Sequence, residues 1–164
     1  KQKLALACAL IHKPKVICLD EPTTGVDALS RRDFWKILSD LHKEGVTIVI
    51  STPYMDEAER FDRIALVNKG KTLKVDSPAS VKQSMKKQIY EVQCSDLRTA
   101  YKILTEGSEY EVQLFGDRID IAIDNKSDES KINKLLESKS IKITGTRIKP
   151  VSLENVFIHL LKAA

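Results

Sequence analysis

The segment Lys15-Val-Ile-Cys-Leu-Asp20-Glu21-Pro22 constrains this chain more than any other. Val16, Ile17, Cys18 and Leu19 form a continuous apolar run that meets two adjacent carboxylates. A run of this kind, closed by a turn signal, predicts a strand buried on both faces, as in a parallel sheet. In open α/β sheets the chemistry gathers beyond the carboxyl ends of the strands, and that is where Asp20 and Glu21 fall. If strand geometry persists through both residues, their side chains point to opposite faces. One carboxylate is then free to hold a metal while the next faces an attacking water. Pro22 stops the strand and fixes the exit of the chain.

The neighbouring segments support a β-α-β reading. Ser30 to Gly45 predicts a helix, with Ser30 and Asp33 as a capping-box-like pair, Phe34, Trp35, Leu38 and Leu41 as its apolar stripe, and Gly45 as its stop. Val46-Thr-Ile-Val-Ile-Ser51-Thr52 reads as a second buried strand. Strand, helix, strand implies a crossover with parallel strands, so this second strand ends on the same edge as Asp20 and Glu21. Upstream, Leu4 to Ile11 is apolar on every side, the pattern of a helix packed inside a larger body. His12-Lys13-Pro14 ends it.

Composition excludes several classes. Hydrophobic residues make up 42% and charged residues 30% of the 164 positions, the balance of a water-soluble globular chain. No apolar run approaches the roughly 20 residues needed to span a bilayer, and no signal peptide is visible. Membrane involvement is therefore expected through a partner. Cys8, Cys18 and Cys94 are widely spaced and read as small core residues in a reducing compartment, without disulfide or metal-ligand spacing. The net charge of +4 is too small and too interspersed to argue for nucleic acid. Sixteen basic residues face eleven acidic ones up to Lys87, and eleven face twelve beyond it. The two parts differ in character.

From Asp20 the pattern continues through Pro22-Thr-Thr-Gly25-Val-Asp27-Ala-Leu-Ser30-Arg31. Together with the apolar run this resembles the Walker B segment and following D-loop of an ATP-binding cassette (ABC) ATPase. The resemblance implies that Asp20 holds Mg²⁺, that Glu21 is the general base for the attacking water, and that Asp27 binds at the nucleotide across the interface between two cassettes. Ser51-Thr52-Pro53-Tyr54-Met55-Asp56-Glu57-Ala58-Glu59 is similar to the family's switch segment, which usually carries a histidine where Pro53 stands. That histidine contacts the γ-phosphate, and proline offers neither a side-chain donor nor a backbone N–H. Pro53 also suits the first position of a helix capped by Thr52. Lys1-Gln2-Lys3 resembles the tail of the cassette signature, whose glycines are missing. No glycine-rich loop ending in Gly-Lys-Ser or Gly-Lys-Thr occurs, and the six glycines are isolated. With no such phosphate cradle, this chain by itself is expected to bind no ATP and to be a fragment of a longer protein.

Further along, Arg63 to Asn68 and Thr72 to Val75 read as strands joined by the turn Asn68-Lys69-Gly70-Lys71. Ser77-Pro78 caps a short helix running to about Lys87. The remainder predicts β-α-β-β-α-β: a strand from Ile89, a helix capped by Asp96, a hairpin around Gly116-Asp117, a helix starting at Ser127 and a strand from Ile141. That order is the split βαβ, ferredoxin-like plan, with Val92, Leu114, Ile121 and Ile143 facing one core. Asp117, Asp120, Asp124, Asp128 and Glu129 read as solvated edges and caps, and His12, His42 and His159 as surface histidines. Ser152 caps a last helix with Val156, Phe157, Leu160 and Leu161 on one face. Val151 to Phe157 resembles the tail of cassette ATPases that serve multidrug and other exporters with separate membrane subunits.

The sequence is thus read as α/β. Residues 1–86 form a partial P-loop NTPase core, the C-terminal half of an ABC nucleotide-binding domain, and 87–164 a small α+β accessory domain. The resemblance implies an ATP- and Mg²⁺-dependent ATPase of an exporter for drug-like or other small substrates. It implies a seat on the cytoplasmic face of the membrane, with membrane-spanning permease subunits and a second nucleotide-binding domain as partners, and no nucleic acid. Two alternatives are a degenerate cassette that binds ATP but hydrolyses it weakly, and the head of a DNA-repair or chromosome-organising ATPase.

Overall fold

β1 (Val16–Asp20) and β2 (Thr47–Ser51) run parallel in the computed structural model, which describes residues 2–106 and 108–163. Lys1, the start of the expected signature tail, lies outside the described residues. The chain divides into two compact units, 1–58 and 59–164. By packing, the segment from residue 59 to 86 therefore goes with the C-terminal part, a different division from the sequence boundary at 86/87.

In the first unit, α1 (Gln2–Leu10) and α2 (Ala28–Lys43) supply Leu6, Phe34 and Leu38 to a small core. Leu19, Ile48 and Ile50 pack against it from the strands. The strands alternate instead of being buried on both faces: Ile17 is buried, whereas Val16 and Val49 are each 54% exposed. Helices cover one face of this pair and leave the other to solvent. Leu4, Ile11, Cys8 and Cys18 are also exposed among the described residues. Cys94, in the second unit, is half-buried.

α2 starts earlier than expected. Asp27 is its N-cap, with the Asp27 carboxylate accepting from Ser30 N at 2.9 Å, so Ser30 lies inside the first turn. At the other end Gly45 takes φ +92°, the left-handed conformation that a helix terminus needs and glycine adopts freely. Gly45 N donates to His42 O at 2.9 Å, which helps close the helix. α3 (Met55–Ala58) completes the unit.

The second unit opens with the hairpin β3 (Ile64–Asn68) and β4 (Lys71–Asp76). Asn68 pairs with Lys71, and Lys69 and Gly70 both have positive φ, +48° and +74°. A two-residue turn with that geometry matches the right-handed twist of its strands. α4 (Pro78–Gln83) is capped by Ser77 with Pro78 in its first turn, and it ends before Lys87.

β5 (Gln88–Cys94), β6 (Glu111–Leu114), β7 (Ile119–Ile123) and β8 (Ile143–Lys149) form one antiparallel sheet in the order β6-β7-β5-β8. α5 (Leu97–Glu106) and α6 (Lys126–Ser138) connect them. Asp96 does cap α5, accepting from Thr99 N at 3.0 Å and Thr99 Oγ1 at 2.7 Å. Leu104, Ile132 and Leu136 of the helices pack on Val92, Ile119 and Ile121 of the strands. Ile143 joins that core from its rim, but Leu114 does not and is 41% exposed. It lies on the same face as buried Val112, at the last position of an edge strand.

The opposite sheet face carries polar residues. Asp120 is not a solvated edge: it is 1% exposed and ion-paired with Lys149. Asp128 is buried in the first turn of α6 and accepts from Tyr110 OH at 3.1 Å and Lys131 Nζ at 2.8 Å. That helix begins at Lys126, after Asn125, and not at Ser127. On α7 (Leu153–Ala163), Leu153 and Val156 are buried, Phe157 and Leu160 half-buried, and Leu161 exposed. The buried stripe is therefore shifted one turn towards the N-terminus. Among the described residues no helix is long and apolar enough to cross a membrane.

Candidate active site at the strand ends

The parallel register sets Asp20 beside Ser51, so the carboxyl ends of both strands share one edge. Ser51 Oγ donates to Asp20 Oδ1. One residue later the strand is over. Glu21 has φ +42°, a left-handed conformation that few non-glycine residues adopt. The two side chains are therefore not set apart by strand alternation, as regular geometry would have had it. A turn starting at Glu21 redirects the second carboxylate. Glu21 N donates to Ser51 O at 3.1 Å and approaches Ser51 Oγ at 3.2 Å. Thr24 N donates back to Glu21 O at 3.2 Å, and Thr24 Oγ1 to Glu21 Oε2 at 3.2 Å. Asp20 and Glu21 are both exposed, open to a ligand from the edge of the sheet.

Asp27 is exposed too, but one carboxylate oxygen is engaged in capping α2. The Ser30 N–H, and then the Ser30 hydroxyl, hold its carboxyl below the usual value of 3.8. An anionic Asp27 stabilises the helix start electrostatically.

Pro53 lies exposed in the bend after β2, two residues past Ser51. It is not the first residue of a helix, because α3 begins at Met55. Thr52 Oγ1 instead accepts from Tyr54 N at 3.1 Å, and Tyr54 O receives Glu57 N at 3.2 Å.

Sequence reasoning missed the group behind the site. Glu57 is fully buried, and Thr23, Thr52 and Arg31 converge on its carboxylate. Nothing in the run Asp56-Glu57-Ala58-Glu59 distinguishes this glutamate from its neighbours; only the turn of α3 selects it. Ser51 was read only as part of the second strand. Its alignment with Asp20 required the register.

No three His, Cys, Asp or Glu side chains cluster as a metal cage among the described residues. One strand-end carboxylate with a hydroxyl beside it instead suits Mg²⁺, which keeps several waters and is shared with phosphate oxygens.

Paired carboxylates thus stand at the end of a parallel strand, followed by a helix-capping aspartate. Residues 77–161 match the model for "ATP-binding protein DrrA1-3-like, C-terminal domain". The chain belongs to this family of ATP-binding proteins, within the ATP-binding cassette class. It is 50% identical over 82 residues to a probable multidrug ABC transporter ATP-binding protein, YbhF, of Escherichia coli, covering 50% of this chain and 14% of that protein. It is 32% identical over 164 residues to Nod factor export ATP-binding protein I of Burkholderia lata, covering 98% of this chain and 51% of that protein. With the bacitracin transport ATP-binding protein BcrA of Bacillus licheniformis it shares 28% identity over 164 residues, 98% of this chain and 53% of that protein. The chain thus spans about half the length of the latter two relatives and less of the first.

Proposed function

We propose that this chain is the part of a cassette ATPase that carries the hydrolytic carboxylates, and that the full-length protein powers an exporter of drug-like or other small substrates. The observation that carries the reading is the strand-end pair Asp20–Glu21 with Ser51 in register beside it. Asp20 would hold Mg²⁺ through water, with Ser51 fixing one carboxylate oxygen and leaving the other for the ion's shell. The ion neutralises charge on the phosphates. Glu21 would accept a proton from the attacking water, and Asp27 would act at the nucleotide across the interface with a second cassette. Names of the relatives as multidrug, Nod factor and bacitracin transporters support permease subunits as partners and a peripheral seat on the cytoplasmic face of the membrane. They do not favour a DNA-repair role.

The accessory domain, in this reading, is ferredoxin-like. The strand order β8-β5-β7-β6 with two helices on one face supports that plan. Its edge is drawn at residue 87 by motif order. The family match from residue 77 and the packing of α4 on α7 extend it towards the N-terminus.

The test is Glu21→Gln in the full-length protein. The variant keeps size and hydrogen bonding but removes the base. Nucleotide binding should survive while hydrolysis falls about a hundredfold or more. An unchanged rate ends the catalytic reading and leaves a nucleotide-gated structural partner, the alternative that Pro53 favours.

A further inference from the structure

We propose that Glu57 is a positioning residue for the carboxylate pair, an inference that rests on the function proposed above. Glu57 is 1% exposed, on the single turn of α3. A buried carboxylate persists only when its charge and lone pairs are met. Three donors meet them here. Thr23 Oγ1 reaches Oε1 at 2.7 Å, Thr52 Oγ1 reaches Oε2 at 2.7 Å, and Arg31 Nη2 lies 2.7 Å from Oε1. Arg31 is held in turn by Asp56 Oδ2 at 3.1 Å and by the Tyr54 ring, 5.0 Å from its Cζ.

What these partners touch gives the arrangement its meaning. Thr23 precedes Thr24, whose hydroxyl donates to Glu21 Oε2. Thr52 follows Ser51, which donates to Asp20 and accepts from Glu21 N. Each oxygen of Glu57 therefore fixes a residue adjacent in sequence to one that holds the catalytic pair. Glu57 ties the turn after β1 to the end of β2, from behind. Glu21 needs this support: a glutamate at φ +42° stays in that conformation only when its surroundings over-determine it. Without the tie, the turn relaxes and the base drifts from the water it must face. Arg31 pairs with the carboxylate and aligns it without touching the pair itself.

The test uses the full-length protein, with kcat and KM for ATP hydrolysis and the thermal midpoint measured together. Thr23→Val and Thr52→Val remove one hydroxyl each at constant shape and leave the Arg31–Glu57 pair intact. Each is expected to lower kcat about tenfold with KM for ATP within twofold, and to lower the midpoint modestly because the buried carboxylate loses a donor. Glu57→Ala should lower kcat further, and Glu57→Gln, which retains an acceptor and adds a donor for the two hydroxyls, should recover much of the loss. If both valine variants keep the parental kcat, or if the losses appear in KM alone, Glu57 only holds the fold and the proposal is wrong. Glu21→Gln is run alongside. A large loss there with unaffected valine variants rejects this inference alone, whereas an unaffected Glu21→Gln rejects the hydrolytic reading beneath it.

Discussion

His159 on α7 sets its Nδ1 2.9 Å from Oε2 and 3.0 Å from Oε1 of Glu111 on the edge strand β6. Lys87 Nζ reaches the same carboxylate at 2.8 Å. The expectation of a surface histidine fails here, because the helix brings the ring down onto the outer sheet face. Burial pushes the Glu111 carboxyl up, but hydrogen bonds and charges from Lys87 and His159 outweigh it and hold it below the ordinary 4.5.

A depressed folded-state value stabilises the fold above the unfolded pKa, and that contribution is lost as pH falls through the folded value. Stability of the C-terminal unit should therefore decline below about pH 4.5, as Glu111 protonates and Lys87 and His159 lose their anionic partner. Glu111→Gln should cost about 1 kcal/mol at neutral pH and flatten the acid limb. Urea midpoints of both proteins between neutral pH and about pH 3 decide it. Parallel curves would mean that Glu111 does not couple α7 to the sheet.

Core substitutions separate the residues that pack from those that only share a face. Leu136 is fully buried between sheet and helices, so Leu136→Ala should destabilise by about 3 kcal/mol. Leu114→Ala should stay within about 0.5 kcal/mol, since that side chain already meets water at the end of β6. Phe157→Ala falls between the two, because the ring is half-buried. Equal losses for Leu136 and Leu114 in denaturant titrations would place Leu114 in the core after all.

The local signals in the sequence were those with a backbone mechanism. Ser77, Asp96 and Ser152 each cap the helix that follows, and Lys69-Gly70 makes the turn between β3 and β4. The order of elements after residue 88 was legible from period-two alternation broken by helical stripes. What failed depended on what lies across the chain. Val16 and Val49 have the pattern of a strand covered twice, yet among the described residues helices pack on one face. At the site, Asp20 and Glu21 were visible as residue types, but the left-handed turn at Glu21 was not. Glutamate carries no signal for positive φ. Ser51 and Glu57 needed strand register and helix phase, which no local pattern encodes.

Nucleotide affinity is the simplest solution check. The exposed carboxylates at the strand ends repel phosphate unless a cation lies between them, and no glycine-rich loop of this chain supplies backbone N–H donors. Titrating the chain with Mg-ATP in a calorimeter should give no heat of binding. A micromolar dissociation constant, roughly −8 kcal/mol, would reveal a phosphate site made from other residues.

Pro53→His asks how the site manages without a histidine just past its second strand. Pro53 is exposed, lies ahead of α3, and the turn around it is held by Thr52 Oγ1 and Tyr54 N, not by the proline ring. A histidine there should leave α3 in place, with a loss of about 0.5 to 1 kcal/mol from the freer unfolded chain. Its ring adds an N–H two residues past Ser51, on the edge where Asp20 and Glu21 stand. A donor aimed at charge that grows in the transition state lowers the barrier more than it tightens substrate binding. In the full-length protein Pro53→His should therefore raise kcat several-fold, with KM for ATP nearly unchanged. In a Glu21→Gln background the same substitution should add little, because the proton still has no acceptor. A tighter KM at constant kcat would make residue 53 a binding contact only. No effect in either background would mean that this strand end does not face the γ-phosphate, and that Glu21 works without help from its neighbour strand beyond Ser51.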